Sequence, residues 1–202
     1  MDARALKIFF SIFMHKFFHD RSDAKELFET LAAQKGLPSA VVEKDYWVMH
    51  CLWGLQQSGL HFEMKGGTSL SKGWRVIERF SEDIDIRFEP PPELSVRGDK
   101  PAQVAARFKF YDALAVSIKI PGVTAGRNRV YDDEKAQNGG IGLKYASFFT
   151  PGPEIGLKPE VLLEAGFART APNEPRDFSS WALDKALSAG LEVADNRAAG
   201  NK

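Results

Sequence analysis

The chain is poor in cysteine, in net charge and in long apolar runs, and each shortage removes a class of protein. A single cysteine among 202 residues, Cys51, excludes an intramolecular disulfide and a cysteine-cluster zinc site. Such a chain fits a reducing cytoplasm, and Cys51 reads as a buried helix residue rather than a nucleophile. Lys plus Arg and Asp plus Glu number 27 each, so overall charge gives no argument for nucleic-acid binding, although a local basic groove remains compatible with it. Arg127, Arg129, Lys135 and Lys144 are the candidates for one. The apolar stretch Leu6 to Met14 is too short to span a bilayer. No small-residue cleavage site follows it in His15-Lys-Phe-Phe-His-Asp20, so it reads as an amphipathic or packed helix, or as an upstream extension with a second start at Met14. No Gly-x-x-x-x-Gly-Lys-Ser/Thr or Gly-x-Ser-x-Gly motif occurs, which leaves Walker-type ATPase and α/β-hydrolase readings without their main support. His15, His19, His50 and His61 have neither zinc nor dyad spacing and read as surface or core residues.

What the chain does contain is concentrated in Lys65-Gly-Gly-Thr-Ser-Leu-Ser-Lys72 and, one helix length later, Arg79-Phe-Ser-Glu-Asp-Ile-Asp-Ile86. Gly66 and Gly67 let the backbone turn tightly and approach a ligand, while Thr68, Ser69 and Ser71 offer hydroxyls where a helix begins. This is the pattern of an anion site, and Lys72 adds a cation to it. In Asp83-Ile-Asp-Ile86, strand alternation sends Asp83 and Asp85 to one face and both isoleucines to the other. Two carboxylates on one face repel unless a cation or a proton relieves them. A divalent metal held by few carboxylates plus substrate phosphates satisfies that requirement.

The segment from Ser22 to Lys35 predicts a helix stopped by Gly36. Pro38 then opens a second helix over 39–57. A strand over 62–65 enters the glycine turn, a helix follows over 69–78, and the acidic strand covers 83–88. After Pro90-Pro-Pro92 come a helix over 101–118, strands over 127–131, 142–149 and 159–165, and a helix over 179–189.

At these residues the chain resembles the AbiEii/AbiGii nucleotidyltransferase toxins, within the DNA polymerase beta-like superfamily. Three segments carry the resemblance: Val42-Glu-Lys-Asp-Tyr-Trp-Val48, the core from Lys65 to Ile86, and Lys158-Pro-Glu-Val-Leu-Leu-Glu-Ala-Gly-Phe-Ala-Arg169. It implies an α+β fold with a mixed sheet flanked by helices: an amino-terminal helical segment over 1–58, a nucleotidyltransferase-like domain over 59–195, and a flexible tail over 196–202. The family's carboxy-terminal helical region, with its lysine and aspartate, would be truncated here.

It further implies a cytoplasmic, metal-dependent toxin of a toxin-antitoxin or abortive-infection system that moves an NMP from an NTP to an acceptor hydroxyl. Gly66, Gly67, Thr68, Ser69 and Lys72 would hold the nucleotide, and Asp83 and Asp85 would bind Mg2+ or Mn2+. The third carboxylate expected on a neighbouring strand is Glu164, the one acid in Val161-Leu-Leu-Glu-Ala165; Glu160 is the weaker alternative, and a structural pair with Lys158 or Arg169 the bland one. Arg79 would support phosphate or pair with Glu82 or Asp83, and the Glu43-Lys44-Asp45 string would pack its helix on the sheet. Partners implied are an NTP, an RNA or tRNA acceptor and a cognate antitoxin, without a membrane. The competing readings are a catalytically silent NTP- or RNA-binding module of the same fold, and a transferase with a small-molecule or protein acceptor.

Overall fold

A computed structural model describes residues 16–152, 155–169, 171 and 173–198; the Leu6 to Met14 segment lies outside them. Helix α1 (Ala24–Lys35) stops at Gly36, whose φ of 66° is left-handed, the conformation glycine supplies at a helix end. Helix α2 (Ser39–Gln57) starts behind Pro38. Strand β1 (Phe62–Lys65) runs into a helical turn over Gly66–Thr68 and Ser69–Gly73. Strand β2 (Ile84–Phe88), helix α3 (Pro101–Ser117), β3 (Val123–Arg127), β4 (Asn138–Tyr145), β5 (Glu160–Gly166) and helix α4 (Trp181–Ser188) complete the order.

The five strands form one mixed sheet in the order β1-β2-β5-β4-β3, with β2 and β5 parallel and the other neighbours antiparallel. Alternation divides the sheet into an apolar and a chemical face. Ile84, Ile86, Ile141, Leu143, Val161, Leu163 and Ala165 are fully buried in one cluster with residues of all four helices. That cluster fixes the register, since a slip of one residue would turn the isoleucines outward and the acids inward.

Helix α2 is the hub of this core. Every residue from Ala40 to Leu55 is buried, including Glu43, Lys44, Asp45 and His50. Gly54 lets Ile120 approach, because a side chain there would overlap it. Glu43 accepts hydrogen bonds from Ser147 Oγ (2.5 Å) and the Phe148 amide (2.9 Å). Lys44 donates to the carbonyls of Lys158 (2.8 Å) and Glu160 (2.7 Å), and Asp45 accepts from the Trp181 amide (2.8 Å). Three adjacent charges therefore attach the helix to three separate segments, and their burial is possible because each is satisfied.

Several elements differ from the sequence expectation. The two strands expected over 127–131 and 142–149 lie earlier, at Val123–Arg127 and Asn138–Tyr145, and Arg129–Tyr131 is a 3-10 turn. The helix expected over 69–78 ends at Gly73 in a π-type turn, closed by Trp74 N to Ser69 O at 3.0 Å, and Arg75 follows at a left-handed φ of 55°. The tail expected from 196 begins with packed residues. Asn196 is buried and donates to His50 Nδ1 (3.0 Å), and Ala198 bridges to Phe178; residues beyond lie outside the described part. Among the described residues no helix is long and apolar enough to cross a membrane.

His50 and His19 sit ring against ring inside this core, with centroids 4.9 Å apart. His50 Nε2 donates to the Pro121 carbonyl (2.8 Å), and His19 Nδ1 meets the Tyr46 hydroxyl (2.7 Å). Burial pushes the His50 imidazole down to about 3 and that of His19 to about 4, whereas the unfolded chain takes up these protons near pH 6.5. The fold is therefore fully supported above pH 6.5 and loses up to about 1.4 kcal/mol per pH unit per imidazole as pH falls toward 4. His50→Gln is expected to lower the acid slope of unfolding free energy between pH 6.5 and 5 by up to about 1.4 kcal/mol per pH unit. Urea denaturation at stepped pH measures it, and an unchanged slope would show that His50 is not the group responsible.

Candidate active site

The site is built where the glycine turn meets β2. Gly66 has a left-handed φ of 70°, and a β-carbon there would overlap the Asp85 carboxylate. At Gly67 a β-carbon would crowd Ser81 Oγ at 2.9 Å and Arg79 at 3.3 Å. Gly66 is thus required by space and by backbone conformation, whereas a side chain at Gly67 would have to displace the movable ends of Ser81 and Arg79. Thr68 is fully buried and its hydroxyl donates to the main-chain carbonyl of Asp83. That bond ties the turn to the start of β2, so the Thr68 hydroxyl is engaged structurally. Ser69 is buried beside the turn and lines a recess of about 360 Å3 together with Met64, Lys65, Gly66, Leu70 and Trp74.

Asp85 pairs across the sheet with Lys65 of β1 on one side and Glu164 of β5 on the other. The side chains of Asp85 and Glu164 are half-buried, and among the described residues neither forms a hydrogen bond or an ion pair. Burial, and then the nearby Glu164 charge, push the Asp85 carboxyl up to about 6. Asp83 stands one residue before the strand proper. Its Oδ2 meets Lys158 Nζ at 2.6 Å, and its Oδ1 is buried without a hydrogen-bond partner among the described residues. Glu82 accepts from the Lys158 amide (3.0 Å) and lies 3.5 Å from Lys44 Nζ.

The sequence-predicted residues therefore divide. Gly66, Gly67, Thr68, Ser69, Asp83, Asp85 and Glu164 share one end of the β2–β5 strand pair and the turn packed on it. Lys72 does not join them: its ammonium pairs with the buried Asp45 and lies 4.4 Å from the Trp181 ring centroid. Burial pushes the Asp45 carboxyl up and the Lys72 charge opposes this, which explains why that lysine turns away from the glycine turn. Glu160 is held by Asn128 Nδ2 at 2.6 Å. Arg169 lies 3.8 Å from Glu89 instead of against Glu164. Arg79 is exposed beside Gly67 and, among the described residues, forms no ion pair.

Sequence reasoning missed Lys158 as a partner of Asp83. The signal available was its place just before the apolar strand that carries Glu164. Of the four residues expected to form a basic groove, Arg127 pairs with Asp112 and Asp132, Arg129 with Asp112, and Lys135 with Asp99, while Lys144 is exposed and, among the described residues, forms no ion pair.

The donor set suits a divalent cation that is completed by substrate oxygens. Among the described residues no group of three or more His, Cys, Asp or Glu side chains is gathered to hold a metal alone. The orphaned Asp83 Oδ1 and the disfavoured charge of Asp85 are nonetheless the two features a cation would relieve.

A five-stranded mixed sheet flanked by helices, with a glycine turn seated on an acidic strand, is the arrangement that the nucleotidyltransferase resemblance implies. The chain belongs to the nucleotidyl transferase AbiEii toxin family of type IV toxin-antitoxin systems, whose sequence pattern matches residues 48–194. Among solved structures it is similar to MenT4, the nucleotidyltransferase toxin Rv2826c of Mycobacterium tuberculosis H37Rv. The two are 19% identical with a TM-score of 0.48, over 79% of this chain and 50% of that one. The chain thus spans about half the length of that toxin. No curated protein matches the sequence.

Two substitutions test the geometry. Gly66→Ala combines a left-handed backbone with overlap on Asp85, whereas Gly36→Ala meets a left-handed backbone with open space. Gly66→Ala should cost about 2 kcal/mol or more and Gly36→Ala about 1 kcal/mol; equal costs in denaturant titrations would refute the contact with Asp85. Asp85→Asn removes a carboxylate whose ionised form the fold disfavours. Discounted for partial exposure, it should stabilise the metal-free protein by about 1 kcal/mol at pH 8, and a loss of stability would contradict the assignment.

Proposed function

We propose that this chain transfers a nucleoside monophosphate from an NTP to an acceptor hydroxyl, the new bond to the α-phosphorus replacing the one to the β-phosphate and pyrophosphate leaving, as the toxin of a type IV toxin-antitoxin system. The observation that carries the reading is the register of Asp85 with Glu164 on adjacent parallel strands, beneath a glycine turn that any side chain would push away from Asp85. Asp83 and Asp85 would hold Mg2+ or Mn2+, which when bound neutralises phosphate charge and polarises the phosphorus being attacked. The amides of Gly66 and Gly67, with Ser69 beside them, hold the phosphates, and exposed Arg79 closes on them from the side of Gly67. Thr68 acts through its bond to the Asp83 carbonyl by keeping turn and acid together. Glu164 receives the proton of the acceptor hydroxyl, a task suited to a half-buried carboxylate with no competing donor.

The acceptor class follows from charge. Arg127, Arg129 and Lys135 each face an aspartate, and of the four candidate cations Lys144 alone forms no ion pair among the described residues, which disfavours a long phosphate track. A compact acceptor, such as the end of a tRNA, fits better than extended RNA, and a small-molecule or protein hydroxyl is the second reading on the same ground. A cognate antitoxin and a cytoplasmic setting complete the proposal, and both come from the family.

Transfer of label from each α-labelled NTP to total bacterial RNA, with Mg2+, tests this directly. The chain should label RNA, and Asp83→Asn with Asp85→Asn should lower the rate by about a thousandfold or more. Undiminished labelling by the double variant would remove the mechanism. Glu164→Gln should lower turnover while leaving NTP binding nearly unchanged, and loss of binding instead would make Glu164 a nucleotide-holding residue.

A further inference from the structure

The ion pair between Lys158 and Asp83 occupies one oxygen of a carboxylate that the proposed function assigns to a divalent cation. We propose that Lys158 is an exchangeable counter-ion: its ammonium holds Asp83 in the metal-free protein and is expelled when the cation arrives, so that ammonium and cation compete for one carboxylate. The inference rests on Asp83 being a metal ligand.

The main chain of Lys158 is fixed from two sides. Its amide donates to Glu82 Oε2 (3.0 Å), and its carbonyl accepts from the buried Lys44 ammonium (2.8 Å). Only the side chain is free to move, and it is about a third exposed. Exchange is therefore a rotamer change on a clamped backbone, not a loop movement. The Nζ already lies 5.2 Å from the centroid of Tyr131, whose ring gives the displaced ammonium a second resting place. Asp83 can hold only one cation well: Oδ2 faces Lys158, while Oδ1 is buried with no donor of its own. A divalent ion seated there would face the ammonium at close range in a poorly solvated site, and the two like charges repel. A released Lys158 would stand at the edge of the site, where a triphosphate brings the negative charge that retains it. Metal bound together with nucleotide is then favoured over metal alone.

Other lysines do not share this arrangement. Lys44 is buried on carbonyls and Lys72 is paired with Asp45, while Lys65 reaches Asn138 at 3.5 Å rather than either aspartate.

The test uses the full chain and Mn2+ alone, read by electron paramagnetic resonance, with amine acylation quantified by mass spectrometry. Lys158→Met should bind Mn2+ on the order of tenfold more tightly than the parent, and Lys65→Met, which removes a nearby charge without freeing Asp83, should change affinity far less. In the unaltered protein, saturating Mn2+ should raise acylation of Lys158 several-fold relative to exposed Lys109, and Asp83→Asn should raise it without metal. The acylation arm stands even where the lysine variant fails to fold. Equal gains in the two lysine variants, or Lys158 acylation indifferent to Mn2+, would overturn the exchange while leaving the metal site intact. Absence of Mn2+ binding even in Lys158→Met, and even with a nucleoside triphosphate present, would overturn both the exchange and the metal assignment.

Discussion

Three consecutive buried charges on α2, Glu43, Lys44 and Asp45, are what the rest of the structure depends on. Burying one charge is costly unless it is paired, and leaving one of these without its partner would strand it in the core. Each is satisfied by a different part of the chain. Glu43 takes the Ser147–Phe148 segment beyond β4, Lys44 takes the entry to β5 and Glu82, and Asp45 takes the start of α4 and Lys72. The glycine turn, the acidic strand and the Glu164 strand are thereby referenced to one rigid helix. Burial pushes the Lys44 ammonium down while the nearby Glu82 opposes this, so the connection between helix and site is electrostatic as well as geometric.

The chemical face shows the opposite economy, with polar groups left unsatisfied. Asp83 Oδ1 has no donor, the charge of Asp85 is disfavoured, and Arg75 keeps a left-handed backbone as the chain leaves the helical turn. Features of this kind persist where the surrounding structure over-determines them, and they cluster at working sites. Here the over-determination is visible. Gly66 has no room for a side chain, Thr68 is bonded to the Asp83 carbonyl, and the backbone at Lys158 is held by Glu82 and Lys44.

Much of this was legible in the chain because local chemistry and global fold agree. Strand β1 and helix α2 fall where predicted, since glycine and proline punctuate both ends. The adjacency of the acidic strand to the Glu164 strand followed from the family pattern, not from periodicity. Where the reading slipped, a long-range partner outweighed a local preference. Lys72 looked like a phosphate ligand by sequence proximity, but Asp45 lies 27 positions earlier and reaches it only through the fold. Strand β4 was placed too late because Gly139 and Gly140 read as the end of the polar turn from Asp132 to Gly140. In the sheet they are strand residues, and with Gly142 their missing side chains admit Tyr111, Tyr131 and Glu160.

Those strand glycines connect the far edge of the sheet to the site. A side chain at Gly140 would strike the Asn128 carbonyl and Tyr131, so glycine there lets the Arg129–Tyr131 turn lie flat against β4. Asn128 then reaches Glu160 and Tyr131 approaches the Lys158 ammonium, the partner of Asp83. Arg127, bonded to the Gly140 carbonyl and paired with Asp132, holds the same turn from below. An arginine that looked in sequence like part of a nucleic-acid groove is in the fold a brace for the residue that neutralises the first aspartate. Lys44, Lys72, Arg127 and Lys158 all turn to carboxylates or main-chain carbonyls of the fold, so cations that sequence alone could assign to an anionic substrate are engaged in positioning the site.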